Sequence, residues 1–120
     1  MKLFHLVIKG RIPSKKNNRR NYVKTSLPSV KFLEWHHNAT TQLLSHKGLN
    51  MDKFDAQFEF WMPDNRVTDI DNKVSSVLDL LKDLNIIVDD SWQHLESYYA
   101  RACGIDKKNP RVEIWLRSLY

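Results

Sequence analysis

The chain is poor in cysteine. Cys103 is the single one in 120 residues, so no disulfide can form within the chain, and a reducing compartment is expected. Long apolar runs are missing too. No stretch approaches the roughly 18 consecutive apolar residues of a membrane-spanning helix. The opening MKLFHLVIKG has a lysine ahead of a short apolar stretch, but it contains His5 and lacks a small-residue cleavage site. It reads as a first β-strand rather than a secretion signal. Acid is absent over a long interval: residues 9 to 31 hold no Asp or Glu. No repeat and no low-complexity segment occurs. A chain of 120 residues with 42% apolar content is expected to fold as one globular domain over 1–120.

The net charge of +5 is unevenly spread. The acid-free interval carries Lys9, Arg11, Lys15, Lys16, Arg19, Arg20, Lys24 and Lys31. Such a block draws a polyanion, although a solvated basic loop is the common alternative. Within it, SKKNNRRNY (14–22) mixes turn residues with cations and has no apolar period, which predicts a loop. Lys15, Lys16, Asn18, Arg19, Arg20 and Lys24, with backbone N–H groups, suit phosphate oxygens. Tyr22 could stack on a base or anchor the loop to the core.

The remaining elements follow from periodicity. Residues 2–9 alternate, with Phe4, Leu6 and Ile8 on one face. Ser29 as N-cap and Lys47–Gly48 as stop predict a helix over 30–47, with Leu33, Thr40, Leu43 and Leu44 on its apolar face. Its neighbouring His36 and His37 lack a third partner for metal binding and read as structural. AQFEFWM (56–62) alternates as a strand that Pro63 ends. Apolar residues at 70, 74, 77, 78, 81 and 84 have helical spacing. Residues 86–88 form a short strand or turn, 94–103 a strand of ambiguous facing, and 111–117 a strand with Val112, Ile114 and Leu116 inward. GIDKKNP (104–110) reads as a hairpin-like link between these last two strands. The order β, loop, α, β, α, β, β predicts an α+β domain: a small mixed β-sheet with two main helices packed on one side.

Seven of the 14 acids lie between residues 64 and 90: Asp64, Asp69, Asp71, Asp79, Asp83, Asp89 and Asp90. Asp69 and Asp71 fall two apart at the mouth of the second helix. Extended backbone there would point both the same way, and close carboxylates repel unless a cation sits between them. Oxygen donors without placed Cys or His favour Mg²⁺ or Mn²⁺. Asp89 or Asp90 would add a third carboxylate if the following strand end folds back to the helix mouth. The competing reading makes one Asp a helix cap, the other a turn former, and Asp89–Asp90 a strand-end turn.

The runs M62-P-D64, D69-I-D-N72, V77-L-D-L80 and I87-V-D-D90, with I12-P-S-K-K-N-N18 upstream, resemble the RusA family of Holliday junction resolvases. The family pattern has M-P-D, then D-x-D-N at a helix start, L-D-A-L within that helix and D-D after a short apolar strand. The resemblance covers nearly the whole chain. It implies a RusA-like homodimer that cuts four-way junction DNA by paired symmetric nicks with Mg²⁺, in recombination and repair. Such proteins act in the cytoplasm of a bacterial or phage-infected cell, without a membrane or a nucleotide cofactor. It also implies that Asp69, Asp71 and Asp90 bind the metal, with Asp89 adjacent. Where the family carries a Lys, this chain has Ser75. Lys73 is then expected to steady transition-state charge, with Lys82 or a loop lysine as substitutes. Of an Arg cluster before D-x-D only Arg66 remains, as a further DNA contact. The rival readings are a non-catalytic nucleic-acid-binding protein, a metal-dependent nuclease acting on RNA or flaps, and a structural partner binding through Trp61, Trp92 and Trp115.

Overall fold

The structure, a computed structural model, describes residues 1–13, 19–22 and 25–120; for 19–22 and 25–28 it describes the backbone only. Its elements are β1 (Leu3–Lys9), β2 (Arg19–Tyr22), β3 (Thr25–Pro28), α1 (Val30–Gln42), β4 (Phe54–Met62), α2 (Ile70–Asp83), β5 (Leu95–Ile105) and β6 (Arg111–Ser118). Together they make a small α+β fold. Four strands form a mixed sheet in the order β1-β6-β4-β5, and β2 and β3 pair separately as a two-stranded ribbon.

In the sheet, β6 runs antiparallel to both β1 and β4, whereas β5 runs parallel to β4. A parallel pair cannot be closed by a tight turn and needs a crossover. Helix α2 is that crossover, so its first turn follows directly from the end of β4 through residues 63–69. This placement fixes where Asp69 and Asp71 stand.

Alternation builds the core. Leu6, Ile114 and Phe58 form one cross-strand row, and Ile8, Val112 and Phe60 form the next. All six are buried and share one cluster with Phe32, Trp35, Ala39 and Leu43 of the α1 segment and Val74, Val77, Leu78 and Leu81 of α2. The opposite sheet face carries polar and aromatic contacts instead: His5 stacks on Trp115, Arg111 lies over Trp61, and Arg117 pairs with Asp55. Among the described residues no helix is long and apolar enough to cross a membrane.

The expected cap of α1 is present: Ser29 Oγ accepts the Phe32 N–H at 3.1 Å. Ser29→Ala should therefore cost about 1 kcal/mol, read as a fall of a few degrees in the thermal midpoint.

Four expectations are corrected. Helix α1 stops at Gln42, not Lys47, and a 3₁₀ turn over Leu44–His46 follows. Near its end, Thr40 and Thr41 hydroxyls bond back to the carbonyls of His36 and His37, a competition that weakens a helix. Its buried face is Phe32, Trp35, Ala39 and Leu43, while Leu33 is 50% exposed. Residues 19–22 are a strand rather than loop, because they pair antiparallel with 25–28. Finally, 104–110 is not a hairpin link: β4 lies between β5 and β6, and the connection passes over the end of β4, where the Asp106 N–H reaches Met62 O at 2.8 Å.

Candidate metal and nucleic-acid site

Helix α2 opens with Asp69 at its N-cap, in extended backbone at φ −88° and ψ 130°. Its side chain makes no capping hydrogen bond. Instead Asp69 Oδ2 accepts from Asn72 Nδ2 at 3.4 Å. Asp71 follows in the first turn, exposed, with Oδ1 accepting the Asn72 N–H at 2.9 Å. Both carboxylates sit at the positive end of the helix dipole. The capping explanation thus does not use up the Asp69 carboxylate.

The loop before them is held by Asp64. Its Oδ1 accepts the Arg66 N–H at 3.0 Å, an Asx-type turn that explains the sharp bend after Pro63. Its Oδ2 pairs with the Arg11 guanidinium and lies 3.7 Å from Arg66 Nη2. The Arg66 N–H foremost, and then Arg11, hold the Asp64 carboxyl below the usual range. Asp64 is therefore an anchor for the loop, and Arg66 stands exposed beside it.

Lys73 departs from its expected place. It is 2% exposed, and its ammonium donates to Ile12 O. Two residues beyond Asp71 on a helix is about 200° of rotation, which turns Lys73 from the carboxylate face into the core. Burial first, and then the Arg11 charge, lower its affinity for a proton, with Asp64 opposing. The role of steadying charge at a scissile phosphate, expected from the sequence, does not fit a side chain so enclosed.

The second acid pair has found a different cation. Lys82 Nζ lies 3.7 Å from Asp89 Oδ1 and 3.6 Å from Asp90 Oδ1. Asp90 foremost, then Asp79 and Asp89, raise the Lys82 affinity for its proton. The Asp90 N–H and the Ser91 hydroxyl, with Lys82 adding, hold the Asp89 carboxyl down. Lys82 belongs to the last turn of α2, eleven residues beyond Asp71 and so about 16 Å further along the axis. The expected fold-back of Asp89 and Asp90 onto Asp69 and Asp71 is not made within one chain. Among the described residues no three His, Cys, Asp or Glu side chains come together to hold a metal ion.

The basic half of the site is only partly on view. Lys15, Lys16, Asn18 and Lys24 lie outside the described residues; Arg19 and Arg20 belong to β2, with backbone alone described. The loop reading of 14–18 lies outside them likewise, and of Tyr22 only the backbone is described. His36 is accounted for structurally, with Nε2 2.9 Å from Asp83 Oδ2. Sequence reasoning missed the Arg11–Asp64 pair and the Lys73–Ile12 bond, since each joins positions far apart in the chain. No protein-family model matches this chain, and no curated protein matches it.

Two exposed carboxylates, undisturbed by Cys or His, suit a hard divalent ion. Mg²⁺ takes one or two carboxylates and fills its other positions with water and phosphate oxygens.

Proposed function

We propose that this chain is a RusA-like, Mg²⁺-dependent endodeoxyribonuclease that acts as a homodimer on four-way DNA junctions. The observation that carries the reading is the Asp69–Asp71 pair: two exposed carboxylates at one helix mouth, with the N-cap carboxylate making no capping bond. The motif resemblance to RusA resolvases supplies the reaction.

In this reading Asp69 and Asp71 hold the ion. An ion held there would supply an activated water for attack on the phosphodiester and positive charge at the leaving oxygen. Lys15, Lys16, Arg19, Arg20, Lys24 and Arg66 bind phosphates, giving affinity that falls steeply with salt. The second acid pair enters through symmetry. The exposed face of α2 runs from Asp71 past Ser75 towards Asp83. If two copies set these faces antiparallel about a two-fold axis, Asp89 and Asp90 of the other subunit come to Asp69 and Asp71 of the first. Two such sites per dimer match the two nicks a symmetric junction requires.

The test is cleavage of a synthetic four-way junction in Mg²⁺ and in EDTA, beside a linear duplex, a flap, a single strand and RNA. Paired nicks in the junction, only with Mg²⁺, are expected. Equal cutting of RNA or flaps would move the substrate class. Junction binding without cutting in any metal would favour the non-catalytic binding protein, the reading that the separation of the acid pairs within one chain supports.

A further inference from the structure

Four consecutive residues after β1 are each fastened by a hydrogen bond or ion pair to a distant part of the chain, two of them to α2. The Gly10 N–H donates to Pro110 O at 2.8 Å, at a backbone φ of 106° that glycine tolerates. Arg11 pairs with Asp64 in the loop before α2. The Ile12 side chain is in the core, and its carbonyl accepts from the Lys73 ammonium. The Pro13 carbonyl accepts from Ser76 Oγ at 2.9 Å, and the same hydroxyl lies 3.0 Å from Asn72 O. Lys73 and Ser76 are three apart, on one face of α2 within its first two turns.

The chemistry explains the residue types. β1 ends at Lys9, so the carbonyls of Ile12 and Pro13 have no ladder partner from the sheet. Buried carbonyls need donors. Methionine at position 73 would fill similar space and avoid burying a charge, yet leave Ile12 O unpaired. Burying an ammonium is costly, and here it is offset by a charge-assisted bond to the backbone. What it fastens is specific: the next residues are Ser14, Lys15 and Lys16, where the basic run begins. What it fastens to is the helix turn that carries Asp71, two residues away.

We propose that Lys73 and Ser76 are positioning residues. They clamp the Ile12–Pro13 backbone to the first turns of α2, so that the chain leaves Pro13 from a fixed point against the helix whose first turn carries Asp71. The clamp itself stands on the structure; the consequence for DNA rests on the nuclease reading above.

Lys73→Met, Ser76→Ala and the double variant test this, with two readouts. The first uses no DNA: the rate of trypsin cutting at the Arg11–Ile12 bond, in protein whose far-UV circular dichroism matches the native chain. Loss of a charge-assisted bond should open this segment about tenfold more often, with proportionally faster cutting. Ser76→Ala, the milder change, secures the test if Lys73→Met folds poorly, and it should show a smaller increase in the same direction. The second is junction affinity in EDTA against salt. The double variant should bind more weakly and show a slope shallower by about one or more counterions, because fewer run cations reach phosphates together. Lys47→Ala, an exposed charge beyond α1, should match the native protein in both.

Unchanged cutting at Arg11–Ile12 in folded variants overturns the clamp. Faster cutting with an unchanged salt slope overturns the positioning role and leaves a purely structural bond. A native protein that binds no junction overturns the nuclease reading, while the trypsin result still decides the clamp.

Discussion

Replacing Asp71 by Asn is expected to lower junction cutting in Mg²⁺ by about a hundredfold or more, while junction binding in EDTA stays within roughly twofold. The side chain keeps its size and its exposed position in the first turn of α2. What it loses is the charge a hard cation requires. On the proposed reading binding survives, because affinity for DNA would come from Lys and Arg on phosphates, not from this carboxylate. Asp69→Asn should behave alike, since the Asp69 side chain makes no capping bond whose loss would loosen the helix. Undiminished cutting by either variant would remove the pair from the chemistry.

The same variant decides how the second acid pair takes part. Asp71→Asn and Asp90→Asn are each expected to be inactive alone. If every site joins Asp69 and Asp71 of one subunit to Asp89 and Asp90 of the other, a mixed dimer of the two variants holds one site with both defects and one with none. Nicking on one strand should then return when the two proteins are mixed under exchanging conditions. If each site were built within one chain, every site in the mixed dimer would carry a defect, and no activity would return. The outcome follows from the positions of the acids: Asp71 stands in the first turn of α2, and Asp89 and Asp90 stand with Lys82 in its last.

Part of this architecture is legible in the sequence and part is not. Strands β1, β4 and β6 are legible because each faces the core on one side only. Leu6 and Ile8, then Phe58 and Phe60, then Val112, Ile114 and Leu116, are buried and alternate with exposed or half-buried neighbours. Helix α2 is legible for the corresponding reason at a period of 3.6. Helix α1 is harder. Val30, Leu33 and Leu44 are apolar yet exposed, and Trp35, beside two histidines, is buried, so the strongest apolar stripe in the letters is not the packed one. β5 has no clear facing because it is an edge strand, exposed on both sides over most of its length. Nothing in residues 104–110 could reveal that β4 passes between β5 and β6, since strand order is a property of the whole chain.

The site divides along the same line. Asp69 and Asp71 are neighbours in sequence, and their placement at a helix mouth is readable from local pattern. Whether Asp89 and Asp90 join them depends on how residues 84–90 return, and Lys82 draws them to the far end of the helix. Lys73 was readable as a lysine near the acids but not as a buried one. Its partner, Ile12 O, is 61 residues away in the chain.

Phe58→Ala should lower the thermal midpoint by roughly 15 °C, following a loss of about 3–5 kcal/mol. Phe58 is fully buried at the middle of β4, between Ile114 on β6 and Ala100 on β5, with Phe60 and Tyr98 rings beside it. β4 is the strand to which both neighbours pair, so a cavity there cannot be closed by moving one edge. Such a loss is a large part of the few to 15 kcal/mol that hold a domain of this size. Val67→Ala, at a side chain 95% exposed, should change stability by less than about 0.5 kcal/mol. The cutting assay gives the sharper contrast. Well below its lowered midpoint, Phe58→Ala should cut junctions at close to the native rate, because β4 still delivers residues 63–69 to the helix mouth. Asp71→Asn should show the reverse, a native melting curve and no cutting. A Phe58→Ala protein that is folded but inactive at low temperature would mean that the geometry of the acid pair depends on core packing more tightly than the exposed, loop-borne position of Asp69 suggests.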